Sequence, residues 1–231
     1  MNCELRLELL AELYRIQEQF CTSLEVACRK GCAVCCTENI TMTTLEGLHL
    51  MEELERKYPP GWPQWSRSLS GRTPSMARPT LNQLARIALS GGDMEEEAIG
   101  ESPGVCPFLR QENCPVYKAR PLACRAMLSR TVCHPGGIAE MPEEVLTLNT
   151  VVMQYIEAID RPGLTGNYID ILLFLSDDGN RHAYRSGRIT TAPSGMELNQ
   201  PIPALMVPPE QREKVQPVID VVQSLIRGFA R

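Results

Sequence analysis

Apolar residues recur with helical spacing near the start of the chain. Leu5, Leu9, Leu10, Leu13, Ile16, Phe20, Leu24 and Val26 follow this period, while Glu4, Glu8, Glu12, Glu18 and Glu25 take the remainder. This predicts a helix over residues 4–28, ended by Gly31. Ile40-Thr41-Met42 reads as a short extended segment. Thr43-Thr44-Leu45-Glu46 has the form of a capping box, in which hydroxyl and carboxylate satisfy each other's backbone amides. It predicts a second helix running to about Lys57 and stopped by Pro59-Pro60-Gly61. Residues 58–79, rich in proline and holding both tryptophans, read as an irregular connector. A third helix is expected over 79–90, ended by Gly91-Gly92, and the acidic stretch from Asp93 to Gly104 reads as a loop.

In the second half, Pro142-Glu143-Glu144 opens a long helix whose apolar pattern runs from Val145 to Ile159. Tyr168 to Leu175 fits a buried helix, the preferred reading, or a strand. In the strand case it forms a small β-hairpin with 181–188 across the turn Asp177-Asp178-Gly179-Asn180. Residues 190–208 are expected to wrap the surface. Residues 209–228 predict an amphipathic helix with Val215, Val218, Ile219, Val222, Leu225 and Ile226 on one stripe, kinked by Pro217 or starting there. There is no internal repeat. The pattern predicts a mainly α, single-domain chain in which a core of 28–134 carries a helical extension over 140–231.

Composition narrows the partners. At 231 residues and 43% hydrophobic, the chain can bury a core without crosslinks. A net charge of -5 and a pI near 5.4 argue against nucleic acid or an anionic membrane as partner. Aromatic content of 5% offers few platforms for stacking bases. The first residues carry charges every few positions where a signal peptide needs an apolar run, and no segment approaches the roughly 20 apolar residues of a membrane span. A cytoplasmic location is expected.

The candidate chemistry lies in the cysteines. Eight of the ten form two groups: Cys28, Cys32, Cys35 and Cys36, then Cys106, Cys114, Cys124 and Cys133. Reduced compartments do not sustain disulfides, so dense thiols at short spacings there point to a metal. If the first group continued as a helix, its thiols would share a face of about 100°. If Gly31 breaks the helix, Cys32-Ala33-Val34-Cys35 becomes a metal-knuckle turn. The adjacent pair Cys35-Cys36 suits a polynuclear site or a second metal better than one tetrahedral centre. In the second group, Cys106 and Cys114 are each followed by proline, which stiffens the chain behind a ligand. Four thiolates on zinc or on an oxidised four-iron cluster leave about two negative charges, which Arg120 and Arg125 are placed to offset. Thiolates suit zinc and iron alike. The Cys pair and the Cys-Pro steps tilt the choice toward an iron–sulfur cluster. Cys3 and Cys21 read as packing residues, His134 as a weaker ligand candidate beside Cys133, and His49 as packing. Asp177-Asp178-Gly179-Asn180 is a turn rather than a calcium loop. No G-x-S-x-G, P-loop or G-x-G-x-x-G signature is present.

C-R-K-G-C-A-V-C-C, then C-P-F-L, then C-P-V-Y-K-A-R-P-L-A-C-R closely resembles the YkgJ-type cysteine-cluster family, a zinc- or iron-chelating domain. The likeness runs from Cys28 to Cys133. It implies that Cys28, Cys32, Cys35, Cys36, Cys106, Cys114 and Cys124 are the chelating set, with Cys133 in a place where some members carry a further cysteine. One departure is the three-residue gap between Cys28 and Cys32. The pattern is also similar to that of flagellin lysine N-methylases, which implies an iron–sulfur cluster and S-adenosylmethionine; no adenosylmethionine pocket is legible in this sequence. Three roles follow as expectations: a redox-active or protein-modifying metal centre, a structural zinc module for a protein partner, or a metal carrier.

Overall fold

The computed structural model describes residues 1–57, 73–92, 104–134 and 137–229. The connector and loop readings at 58–72 and 93–103 lie outside the described residues.

The first helix, α1 (Cys3–Thr22), is capped by the Asn2 side chain, which accepts from the Leu5 amide at 2.9 Å. It ends at Thr22 rather than at 28. The Thr22 and Ser23 hydroxyls donate back to the Glu18 and Phe20 carbonyls, and the Ala27 amide is taken by the Ser129 carbonyl at 2.8 Å. Local hydroxyl bonds and a tertiary strap thus outcompete the periodicity. The capping box does form. Glu46 Oε2 accepts from the Thr43 amide at 2.9 Å, Thr43 Oγ1 accepts from the Glu46 amide at 3.3 Å, and α2 (Thr44–Lys57) follows. Gly47 lets α2 approach the later helix α6 (Tyr168–Ser176), since a Cβ there would stand 2.7 Å from Ile171.

α3 (Leu81–Leu89) opens on a Thr80–Gln83 capping box. A 3-10 turn (Tyr117–Ala119) leads to the short α4 (Leu122–Ala126), and α5 (Glu143–Ile159) begins after Pro142 as predicted. Tyr168–Leu175 is helical, and the hairpin alternative does not form. Asp177 instead caps a further helix, α7 (Asp178–Arg185), accepting from the Asn180 amide at 2.8 Å, so the expected turn is a helix start. The last helix, α8 (Arg212–Phe229), runs through Pro217. Three strands, β1 (Thr41–Thr43) in the segment read as extended, β2 (Leu164–Asn167) in residues given no reading, and β3 (Met196–Leu198) in the stretch expected to wrap the surface, form an antiparallel sheet in that order, with Met42 opposite Gly166 and Thr165 opposite Glu197. The fold is mainly α with one small sheet.

Two apolar clusters hold it. Leu9, Leu13, Leu148, Ile156, Val215 and Val222 join α1, α5 and α8. Met42, Met51, Ile169 and Leu172 join the sheet, α2 and α6, and Phe108 and Val116 from the second cysteine segment enter this same cluster. The cysteines are thereby anchored to the core.

Buried carboxylates fasten the helix starts. Asp160, at the end of α5, accepts from Leu45 at the start of α2, and Glu157 accepts from the Leu81 and Asn82 amides of α3 at 2.8 and 2.9 Å. Burial pushes both carboxyls up to about 7, against the hydrogen bonds that pull them down. Both therefore bind a proton more tightly folded than unfolded. Their contribution to stability is complete below their ordinary values near 4 and is lost as pH rises toward 7, at about 1.4 kcal/mol per pH unit per group at most. Urea midpoints should fall between pH 5 and pH 8, and Glu157→Gln should remove part of that fall. A midpoint that rises over this range contradicts the assignment.

Candidate metal centre

Neither cysteine group lies in a helix long enough to align its thiols. The first is a loop: Gly31 has a φ of 88°, and the Cys32 and Cys36 amides close turns onto the Arg29 and Ala33 carbonyls, each at 3.0 Å. The helical alternative does not form, and the bonded turns, 29–32 and 33–36, flank the Cys32–Cys35 segment. Two straps join this loop to the second group. The Cys106 amide donates to the Cys36 carbonyl at 3.0 Å and the Glu38 amide to the Gly104 carbonyl at 2.8 Å. At the other end, besides the Ala27–Ser129 bond, Cys28 Sγ lies 3.8 Å from the Met127 carbonyl. Between Cys106 and Cys114 the chain reverses in a tight hairpin, with Arg110 and Asn113 exchanging both backbone bonds and Gln111 and Glu112 at φ 48° and 60°. Left-handed backbone at two non-glycine residues is strained, and here it borders the site.

The straps produce one cavity of about 160 Å³, lined by Cys28, Cys32, Cys35, Cys36, Cys106, Cys114 and Cys124. Cys133 does not line it, but its charge acts on Cys28 from nearby. Cys3 is buried in the core, and Cys21 accepts from Gln17 Nε2 at 3.3 Å. Neither lines the cavity, and nor does His134.

The thiols perturb one another. Burial raises Cys28 and Cys114 and pushes Cys124 up to about 12. The adjacent Cys35 and Cys36 thiols are coupled, which brings Cys35 down to about 6 and drives Cys36 up. Protonated thiols give up their protons to a soft cation, so binding releases protons. Arg120 stacks on the Tyr117 ring at 3.5 Å and lowers Cys35, Cys114 and Cys124 by its charge. Arg125 lines the same cavity. Its guanidinium donates to the Arg120 and Lys118 carbonyls and lies over the Tyr14 ring at 4.3 Å, which braces the 117–125 turn.

Tyr168 carries no motif in the sequence, yet its hydroxyl lies 3.4 Å from Cys106 Sγ. Its amide also donates to the Ile40 carbonyl at 2.8 Å. Only tertiary structure brings the start of α6 to a residue 62 positions away.

Soft thiols fit zinc and iron by donor chemistry. As the side chains lie, no group of three or more Cys, His, Asp or Glu among the described residues is gathered tightly enough to hold an ion. Loading would have to draw the sulfurs inward from the two loops.

The fold and the site define a cysteine-cluster protein on a helical frame. Residues 27–144, just over half of the chain, match the CxxCxxCC family, whose description reads "Putative zinc- or iron-chelating domain". The chain belongs to this family, which makes metal binding its coarse function. No curated protein and no solved structure matches it significantly. No helix among the described residues is long and apolar enough to cross a membrane.

Proposed function

We propose that the chain holds zinc or iron on Cys28, Cys32, Cys35, Cys36, Cys106, Cys114, Cys124 and Cys133, with Arg120 and Arg125 beside it. We favour an iron–sulfur centre that is redox-active or serves a protein-modifying reaction. One observation carries this reading: seven thiols line a single cavity that reaches solvent, where Cys32 is exposed. A closed, buried site is expected of structural zinc, and an accessible one of catalysis or transfer. The metal would supply charge and, as a cluster, an electron; the chain supplies the thiolates and the Arg120 charge.

Anaerobic purification followed by elemental analysis and an electronic spectrum tests the proposal. Brown protein with broad visible absorbance is expected, and chelation should lower stability as it removes the metal. Colourless protein with stoichiometric zinc overturns the iron assignment and leaves metal binding intact. A structural zinc module that docks a protein is favoured by Val34, Val105, Met127 and Val132, which are exposed in the cysteine segments. Collapse of the fold on replacing any single ligand would support that second reading, whereas a folded, colourless variant supports the first.

A further inference from the structure

A second opening lies away from the cysteines, where α5, β3 and α8 meet. We infer that this cleft binds an aliphatic monocarboxylate, a fatty acid of medium chain length, with Arg6 and Arg161 receiving its carboxylate.

The cleft encloses about 750 Å3 and shares no residue with the cysteine cavity. Sites for small ligands commonly span about 300–1,000 Å3, with apolar walls and a few polar groups that fix orientation. Here Tyr155 and Ile159 of α5, Leu198 of β3, Ile202 and Ile226 of α8 form the walls. The charged side chains that line the cleft are Arg6 and Arg161. No carboxylate lines it among the described residues, in a chain whose net charge is -5.

Arg6 is under-used where it lies. Its side chain is only 4% exposed, and it sits over the Tyr184 ring at 5.2 Å. Among the described residues its guanidinium makes one long hydrogen bond, from Nη1 to Asp160 Oδ1 at 3.4 Å, and Nε has no partner. A guanidinium carries five N–H donors, and burying them unused is costly. Asp160 has little left to offer, because Thr44, Leu45, Tyr184 and Asn199 already donate to it. Arg161 is exposed at the cleft and pairs with no carboxylate among the described residues. An entering carboxylate therefore meets two guanidiniums with spare donors, in the planar fork that carboxylates match. A single negative charge suits the pair, since Asp160 already offsets part of Arg6. The walls take the alkyl chain out of water.

Calorimetric titration of the full chain with decanoate, below its micelle concentration, tests the inference. One equivalent should bind, at least about tenfold more tightly than decanol, which lacks the charge, or acetate, which lacks the chain. Arg161→Gln should weaken decanoate about tenfold and leave decanol unchanged. Gln200→Glu places a carboxylate on the cleft wall and should also weaken decanoate. It decides alone if circular dichroism shows the first variant to be unfolded. Equal affinity for decanol, binding that does not saturate, or wild-type affinity in the folded Arg161→Gln protein overturns the inference. Acetate bound as tightly as decanoate overturns it too, by placing the carboxylate outside the cleft. Tighter binding of a peptide ending in a free leucine would assign the cleft to a protein terminus instead. Metal binding stands apart from all these outcomes, because elemental analysis reads it separately.

Discussion

At pH 8, where its carboxyl is ionised, Asp160→Ala should cost the fold about 3–5 kcal/mol, the range for breaking a buried ion pair by removing one partner. The carboxylate is fully buried and accepts from Thr44 Oγ1 at 2.7 Å, the Leu45 amide at 2.9 Å, Asn199 Nδ2 at 3.1 Å and the Tyr184 hydroxyl at 2.5 Å. Arg6 Nη1 lies 3.4 Å away, in a side chain only 4% exposed, and Arg6 Nε has no partner. Alanine would strand these donors and leave a buried guanidinium uncompensated. Packing around the site prevents relaxation, because Gly163 sits directly against Asp160 and Thr44 with no room for a Cβ. Urea denaturation measures the loss. Arg6→Leu/Asp160→Ala should recover part of it, since the second change removes the stranded charge. A cost below about 1 kcal/mol, within the range of ordinary surface changes, would refute this account.

Tyr168→Phe should weaken metal binding by about 10–100-fold and leave the fold in place. Tyr168 is 3% exposed and packs near Phe108, with ring centroids 6.0 Å apart, so phenylalanine keeps the buried ring. What it loses is the hydroxyl that faces Cys106. That donor fixes the sulfur's direction, which a metal needs. The loss of one neutral hydrogen bond should cost the metal-free fold only about 1 kcal/mol. Competition titration against a chelator of known affinity measures the effect. Unchanged affinity would make Tyr168 a packing residue, while a large loss of stability would mean that the ring rather than the hydroxyl matters.

Most helix ends with complete local chemistry were legible, but the Asp177 cap of α7 was read as a turn. Thr43–Glu46, Gly91-Gly92 and Pro142-Glu143 mark ends that the fold keeps, because caps and stops act on their own backbone. The end of α1 was not legible, because the deciding partner, Ser129, is remote in sequence. Of the three strands only β1 was read as extended; β2 and β3 are short and pair only across long separations, so no period announces them. The cysteine groups were visible as types and spacings. Their assembly was not: Cys36 meets Cys106 through backbone bonds, and Tyr168 reaches Cys106 from the start of a helix in the second half. Arg120 and Arg125 looked equivalent in sequence, and both line the cavity, but only Arg125 also braces the turn through the Arg120 and Lys118 carbonyls.

The carboxylates Glu46, Glu157 and Asp160 bear on what the loss of a metal would leave standing. Each is buried and holds a backbone amide at the start of another helix: Leu122, then Leu81 and Asn82, then Leu45. These latches need no ion, and none of the three acids lines the cysteine cavity. The helical frame is therefore fastened independently of the cysteine cavity, so stripping a metal from the two cysteine segments should leave these latches and the helix starts they hold in place.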